Sequence, residues 1–166
     1  MRCEKVSYGT GDPMMDMQAR VMTVDFQDCT MVFTYNPQVG FTESSLAFRT
    51  KWEQELGRHL EKVAGEAKQK GKKLIWAGDL NVNPRATDWT ERAFDKIKHR
   101  IQKGAQMAGC REQDQKVYRE LVAKINGVIV AEHFGKGHKR ICFSTEKCWQ
   151  SNNGQRIDHI IAEDSF

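Results

Sequence analysis

Leu74-Ile75-Trp76-Ala77-Gly78-Asp79-Leu80-Asn81-Val82-Asn83-Pro84 runs from unbroken apolar sequence into Gly-Asp-Leu-Asn. Four apolar residues ahead of a glycine read as a buried strand, with the polar groups that follow at its tip. Side chains two apart in an extended chain share a side and lie about 6–7 Å from each other. Asp79 and Asn81 are therefore expected together at the strand's end, with Leu80 turned into the core. A carboxylate and a carboxamide held beside apolar neighbours suit a water, a metal ion or a phosphate better than they suit packing.

Immediately upstream, residues 45–70 place Phe48, Trp52, Leu56, Leu60 and Val63 in steps of four, four, four and three, which is one apolar stripe of a helix. Glu53, Glu55, Arg58, Glu61, Lys62 and Glu66 read as its solvated remainder, and Gly71 as its stop. A helix feeding a buried strand makes an α-then-β unit, with polar groups where the strand gives way to a loop. Further upstream, residues 20–26 and 30–35 alternate. Met22, Val24 and Phe26 share one face, and Met31, Phe33 and Tyr35 share one face of the next strand. Gln27-Asp28 between them suits a hairpin. Pro37, having no amide to donate, ends the second strand. A short strand is expected at 5–8.

Downstream, residues 84–126 read as helical, with stripes Phe94, Ile97, Ile101 and Val117, Leu121, Ile125 separated by residues 104–109. Strands are expected at 127–132, 141–144 and 157–162. There is no repeat or linker, and 166 residues suffice for one core, so a single domain over residues 1–166 is expected. Apolar residues at 39% and charged ones at 29% place the chain among folded globular proteins rather than disordered ones. A net charge of +4 is compatible with a polyanionic partner without requiring one. Cys3, Cys29, Cys110, Cys142 and Cys148 form no C-x-x-C pair and are odd in number, which reads as reduced thiols in an intracellular protein. No apolar run reaches the roughly 18–20 residues of a membrane span.

Two further segments narrow the function. Thr34-Tyr35-Asn36-Pro37-Gln38-Val39-Gly40 ends an early strand in a phenol, and Gln155-Arg156-Ile157-Asp158-His159-Ile160-Ile161 opens a late one with a carboxylate. With Gly-Asp-Leu-Asn between them, and from Val6-Ser7-Tyr8-Gly9 onward, the chain resembles the exonuclease III-like apurinic/apyrimidinic (AP) endonucleases. These belong to the endonuclease/exonuclease/phosphatase superfamily of divalent-metal phosphodiesterases. The resemblance implies an α+β fold, the four-layer α/β/β/α sandwich, incomplete at both ends. It implies a DNA phosphodiester hydrolase cutting 5′ to abasic sites in repair, with duplex DNA as partner and Mg²⁺ (or Mn²⁺) as cofactor. In a eukaryote the expected compartment is the nucleus. No protein partner is implied.

By the same resemblance, Asp79 orients or deprotonates the attacking water and Asn81 holds that water or a phosphate oxygen. These two are also the expected metal-side residues. Tyr35 contacts the scissile phosphate, and Asp158 orients a catalytic histidine. Each has an ordinary alternative. Asp79 can cap a turn, Asn81 can start one, Tyr35 can be a strand aromatic with its hydroxyl satisfied, and Asp158 can pair with Arg156. His159 follows Asp158 in an extended stretch and is expected to point away from it. Lys68, Lys70, Lys72 and Lys73, and Lys96, Lys98, Arg100 and Lys103, are either phosphate contacts or solvated faces. His133 and His138 have no assigned role.

The family's early Asn and Glu motifs have no counterpart in residues 1–34, and its closing Ser-Asp-His motif is absent. Low activity of these 166 residues alone is therefore expected, since Mg²⁺ is seldom held by one or two carboxylates. Gln155 stands where the family commonly has Trp, and only Phe143 and Trp149 remain of an aromatic wall for an extrahelical sugar. A retroelement-type nicking endonuclease or another phosphodiesterase of the superfamily stands as one alternative. A catalytically inactive domain with residual nucleic-acid binding is the other.

Overall fold

The alternating segments pair as the pattern requires in the computed structural model, which describes residues 2–38, 42–85, 88–102, 109, 111–133 and 146–164. β2 (Val21–Phe26) and β3 (Cys29–Tyr35) are antiparallel neighbours joined through Gln27-Asp28. β1 (Cys3–Tyr8) lies outside β2, exposed along its whole length. Between β1 and β2 sits the short helix α1 (Pro13–Asp16), capped by the Asp12 carboxylate.

Thr42 opens the long helix α2 (Glu43–Gln69), its hydroxyl accepting the Ser45 amide at 3.2 Å. After Gly71 the chain enters β4 (Lys73–Asp79), which runs parallel to β3 because α2 has carried it back across the sheet. Then come α3 (Glu91–Gln102), α4 (Glu112–Lys124), β5 (Gly127–Ile129), α5 (Val130–His133), α6 (Glu146–Gln150) and β6 (Asp158–Glu163). The six strands form one sheet in the order β1-β2-β3-β4-β6-β5.

One sheet face meets helices. Val21, Val32, Leu74, Trp76 and Ile161 pack against Trp52, Leu56, Leu60 and Val63 of α2 and Tyr118 and Leu121 of α4. Each such side chain contributes about 1.5–3 kcal/mol on leaving water. In the hairpin this is the face bearing Thr23, Thr30 and Thr34, not the more apolar face of Met22, Val24, Met31 and Phe33. The threonines are tolerated there because their hydroxyls are bonded: Thr34 to Trp76 Nε1 and Asn36, Thr23 to His59, and Thr30 to Asp25.

The opposite face keeps Met22, Met31, Phe33 and Ile75 only half-buried, and Ile160 is exposed. A second sheet of a four-layer sandwich packs on such a face. Among the described residues there is one β layer and one α layer.

Two expectations are corrected. The strand over 127–132 stops at Ile129, because β5 is an edge strand with a partner on one side only and α5 folds back onto β6. Glu53, read as solvated, is buried. The strand over 141–144, the turn at Gly40, residues Phe143, His138, Cys110, Cys142 and Lys103, and the side chains of Ile97, Arg100 and Ile101 lie outside the described residues.

Candidate active site

Register builds the site. Tyr35 pairs with Asp79 across β3 and β4, and Asp79 pairs with Asp158 across β4 and β6. Directly paired residues point to the same sheet face from backbones roughly 5 Å apart. Three residues far apart in sequence therefore stand on one rung, at the end of the sheet and on the face turned away from α2 and α4. Tyr35 and Asp158 are exposed there and Asp79 is half-buried.

Asn81 joins them by a different route from the one expected. β4 ends at Asp79, and Asn81 adopts a left-handed conformation (φ 47°) instead of continuing the strand. Its amide donates to Asp79 Oδ1 at 2.9 Å, closing an Asx turn. Its side-chain Nδ2 donates to the carbonyl of Asn36 at 2.8 Å, tying the loop after β4 to the loop after β3. Leu80 is fully buried, as expected. Gly78 makes the geometry possible: at φ 147° an added Cβ would lie 1.9 Å from the Thr34 carbonyl oxygen. No side chain fits between the strands at that point.

The charges at the rung oppose one another. Burial raises the Asp79 carboxyl above its ordinary range, and the neighbouring Asp158 charge raises it further. The Asn81 amide and the more distant Arg49 guanidinium pull the other way. A carboxyl so placed holds a proton more readily than a free aspartate and sits nearer the range useful for general acid–base work.

Arg156 does not pair with Asp158. Its guanidinium meets the buried Asp88, and its amide donates to the Asp88 carbonyl at 2.7 Å. Leu80 donates its amide to Ile157 O at 2.8 Å, and Asn83 Nδ2 donates to Arg156 O at 3.0 Å. These bonds stitch the loop after β4 to the segment entering β6, which sets Asp158 beside Asp79. His159 points to the helical face, as expected. It is buried, bonded through Nε2 to the Val82 carbonyl at 3.0 Å and packed on the Tyr118 ring. Burial lowers its pKa. Arg20 lies over the Tyr35 ring, 4.8 Å from its centroid, and donates to the Tyr35 carbonyl.

Sequence reading missed Asn36, Arg49 and Asp88. Asn36 stands in Tyr-Asn-Pro next to a chosen residue, yet its backbone carbonyl does the work, which no side-chain pattern reports. Nothing near Asp88 in the sequence marks it as the partner of Arg156. Arg49 carried a usable signal. It sits four residues before Glu53 and three before Trp52, so it interrupts the apolar face of the helix.

No family model matches the chain. It is 30% identical over 82 residues to a DNA-(apurinic or apyrimidinic site) endonuclease of Plasmodium falciparum, covering 49% of this chain and 13% of that protein. The same enzyme of Arabidopsis thaliana matches at 32% over 77 residues, covering 45% and 20%. An AP endonuclease structure from Archaeoglobus fulgidus superimposes with a TM-score of 0.75 at 20% identity, over 99% of this chain and 60% of that one. The 3′ phosphatase NExo from Neisseria, in a single-substitution variant bound to product DNA hairpin, gives 0.75 at 18%, over 99% and 60%. The fold is exonuclease III-like. The chain shares its fold with these AP endonuclease and exonuclease structures and is locally similar in sequence to AP endonucleases. It spans a fifth or less of the length of these two curated relatives.

Within this exonuclease III-like fold the rung offers hard oxygen donors: two carboxylates, a carboxamide and a phenol. That chemistry suits Mg²⁺ or Mn²⁺. No group of three His, Cys, Asp or Glu side chains placed to hold an ion exists among the described residues. Asp79, with Asp158 or Asn81 beside it, would hold one only together with water and a substrate phosphate.

Proposed function

We propose that this chain carries the phosphodiester-cleaving mouth of a divalent-metal-dependent DNA hydrolase of the AP endonuclease type, cutting 5′ to an abasic site and leaving a 3′-hydroxyl. The observation that supports it is the single rung of Tyr35, Asp79 and Asp158, closed by Asn81. The local similarity to curated AP endonucleases supports the same reading.

The residues divide the work by chemistry. Asp79, with its raised affinity for a proton, takes one from the attacking water or holds that water in line. Asn81 fixes the Asp79 carboxylate through its amide and offers its carboxamide oxygen to the water. Tyr35, exposed at the mouth, donates its phenol to a phosphate oxygen where negative charge builds up. Asp158, paired with Asp79 across the strands, keeps the local field negative and stands where the resemblance puts the carboxylate that orients a catalytic histidine. A bound Mg²⁺ or Mn²⁺ supplies neutralisation of phosphate charge and a more acidic water. Arg20, stacked on Tyr35, adds a cation at the same mouth. The protein's place is with cellular DNA, in the nucleus of a eukaryote.

The test is single-turnover cleavage, with protein in excess, of three labelled substrates: abasic duplex, intact duplex and a small phosphodiester. Slow Mg²⁺-dependent nicking 5′ to the abasic site, abolished by EDTA and by Asp79→Asn, is expected. Equal cutting of intact and abasic duplex would replace the repair reading with a retroelement-type nicking one, which Gln155 in place of the family's Trp favours. Absence of metal-dependent cleavage on all three would overturn the enzyme reading and leave a binding domain.

A further inference from the structure

Arg49 is a charged side chain on the apolar face of α2, only 2% exposed, and its partner Glu53 is 6% exposed. Its guanidinium donates in three directions. Nε reaches Glu53 Oε1 at 2.6 Å, Nη1 the Pro37 carbonyl at 2.5 Å, and Nη2 the Leu80 carbonyl at 3.1 Å. Pro37 lies two residues past Tyr35, and Leu80 lies between Asp79 and Asn81. One buried fork therefore ties together the loops that leave β3 and β4 directly after Tyr35 and Asp79, the second of which carries Asn81.

We infer that Arg49 is a positioning residue, holding the loops after β3 and β4 at the separation at which Tyr35, Asp79 and Asn81 meet one phosphate. The inference rests on the proposed cleavage function for its consequence, but not for its geometry. Burying an ion pair is weak evidence of a stability role, since apolar residues of similar volume often serve as well or better. A planar fork of donors in fixed directions is what two backbone carbonyls and a carboxylate require, and a lysine, with one ammonium on a flexible stem, cannot reproduce it. Burial raises the Glu53 carboxyl while the Arg49 charge opposes it, consistent with Glu53 serving as the counter-charge that keeps the guanidinium in place.

The decisive variants are Arg49→Lys, which keeps the charge, and the double variant Arg49→Met with Glu53→Leu, which removes the pair without stranding a buried charge. Two measurements are made on each. Amide exchange at Asn36, Gln38, Asn81 and Asn83 is expected to quicken at least about tenfold in both variants, while β3 and β4 interior amides keep parental protection. In single-turnover cleavage, the maximal rate is expected to fall about 10–100-fold with the half-saturating DNA concentration changed less than about threefold, as misplacement by an ångström would produce. In an Asp79→Asn background the Arg49 substitutions should add no further loss, because residues acting as one unit are not additive. Parental exchange at the four loop amides, or a parental cleavage rate in the double variant, would overturn the inference. If the parent cleaves nothing, the exchange measurement still decides the positioning role, while the functional reading fails separately.

Discussion

Asp79 and Asp25 occupy opposite ends of the same sheet, five rungs apart along β3, since Asp25 pairs with Thr30 and Asp79 with Tyr35. Their surroundings differ in sign. Asp25 bonds to Lys70 at 2.7 Å, to Lys72 at 3.0 Å and to the Thr30 hydroxyl at 2.9 Å, and the Lys70 bond leads in pulling its pKa down to about 2. Asp79 has burial and a second carboxylate against it, and its pKa goes up. The first carboxylate is stabilised as an anion and closes the fold where α2 returns to the sheet. The second has its affinity for a proton raised by burial and by the neighbouring carboxylate, a kind of shift that gathers at functional sites. Lys70 and Lys72, read from sequence as either phosphate contacts or part of a solvated face, belong to the structural end, with Lys72 also bonded to Glu4.

The comparison breaks most violently at glycine. Gly78→Ala, with its Cβ driven into the Thr34 carbonyl, is expected to lower unfolding free energy by about 4 kcal/mol or more, read from urea denaturation. Gly71, at the Asp25 end, also has a positive φ (68°) but open space around it, so Gly71→Ala should cost only about 1–2 kcal/mol in the same assay. Equal losses would mean that the close strand approach at Gly78 relaxes freely.

Asp79→Asn is expected to reduce single-turnover cleavage about 10²–10⁴-fold while making the protein more stable at pH 7. The sign follows from linkage. With its folded pKa above its unfolded value of 3.8, Asp79 binds more protons folded than unfolded, so it lowers stability as pH rises through that window. The advantage of the variant should therefore vanish as pH falls to about 4. A variant less stable than the parent at pH 7 would contradict the electrostatic assignment.

Asp25→Asn sharpens the other side. Its folded pKa lies below the unfolded one, so its contribution is present above 3.8 and is lost as pH falls toward 2. Discounted for solvent around exposed Lys70, the expected loss at pH 7 is about 1 kcal/mol at low salt, shrinking at about 0.5 M NaCl. Thermal denaturation at the two salt concentrations checks it. A salt-independent loss would point to packing rather than charge.

Local pattern was enough for α2, the hairpin, β4 and Asp79 at its tip, because each is written in neighbouring residues with a period of two or about four. It was also enough for the order Tyr35, Asp79, Asp158. It left open which hairpin face meets the helices, and it misread Glu53, which is buried beside Arg49.

By itself the sequence determined which segments extend, which coil, and which polar side chains stand at strand ends. Those are outcomes of steric preference and of apolar spacing along a few residues. Only the tertiary structure decided that Tyr35, Asp79 and Asp158 share a rung, that Asn81 reaches them through a left-handed turn, and that Arg49 ties two loops together. Strand register and buried hydrogen bonds join residues dozens of positions apart, and no local spacing encodes such a partner.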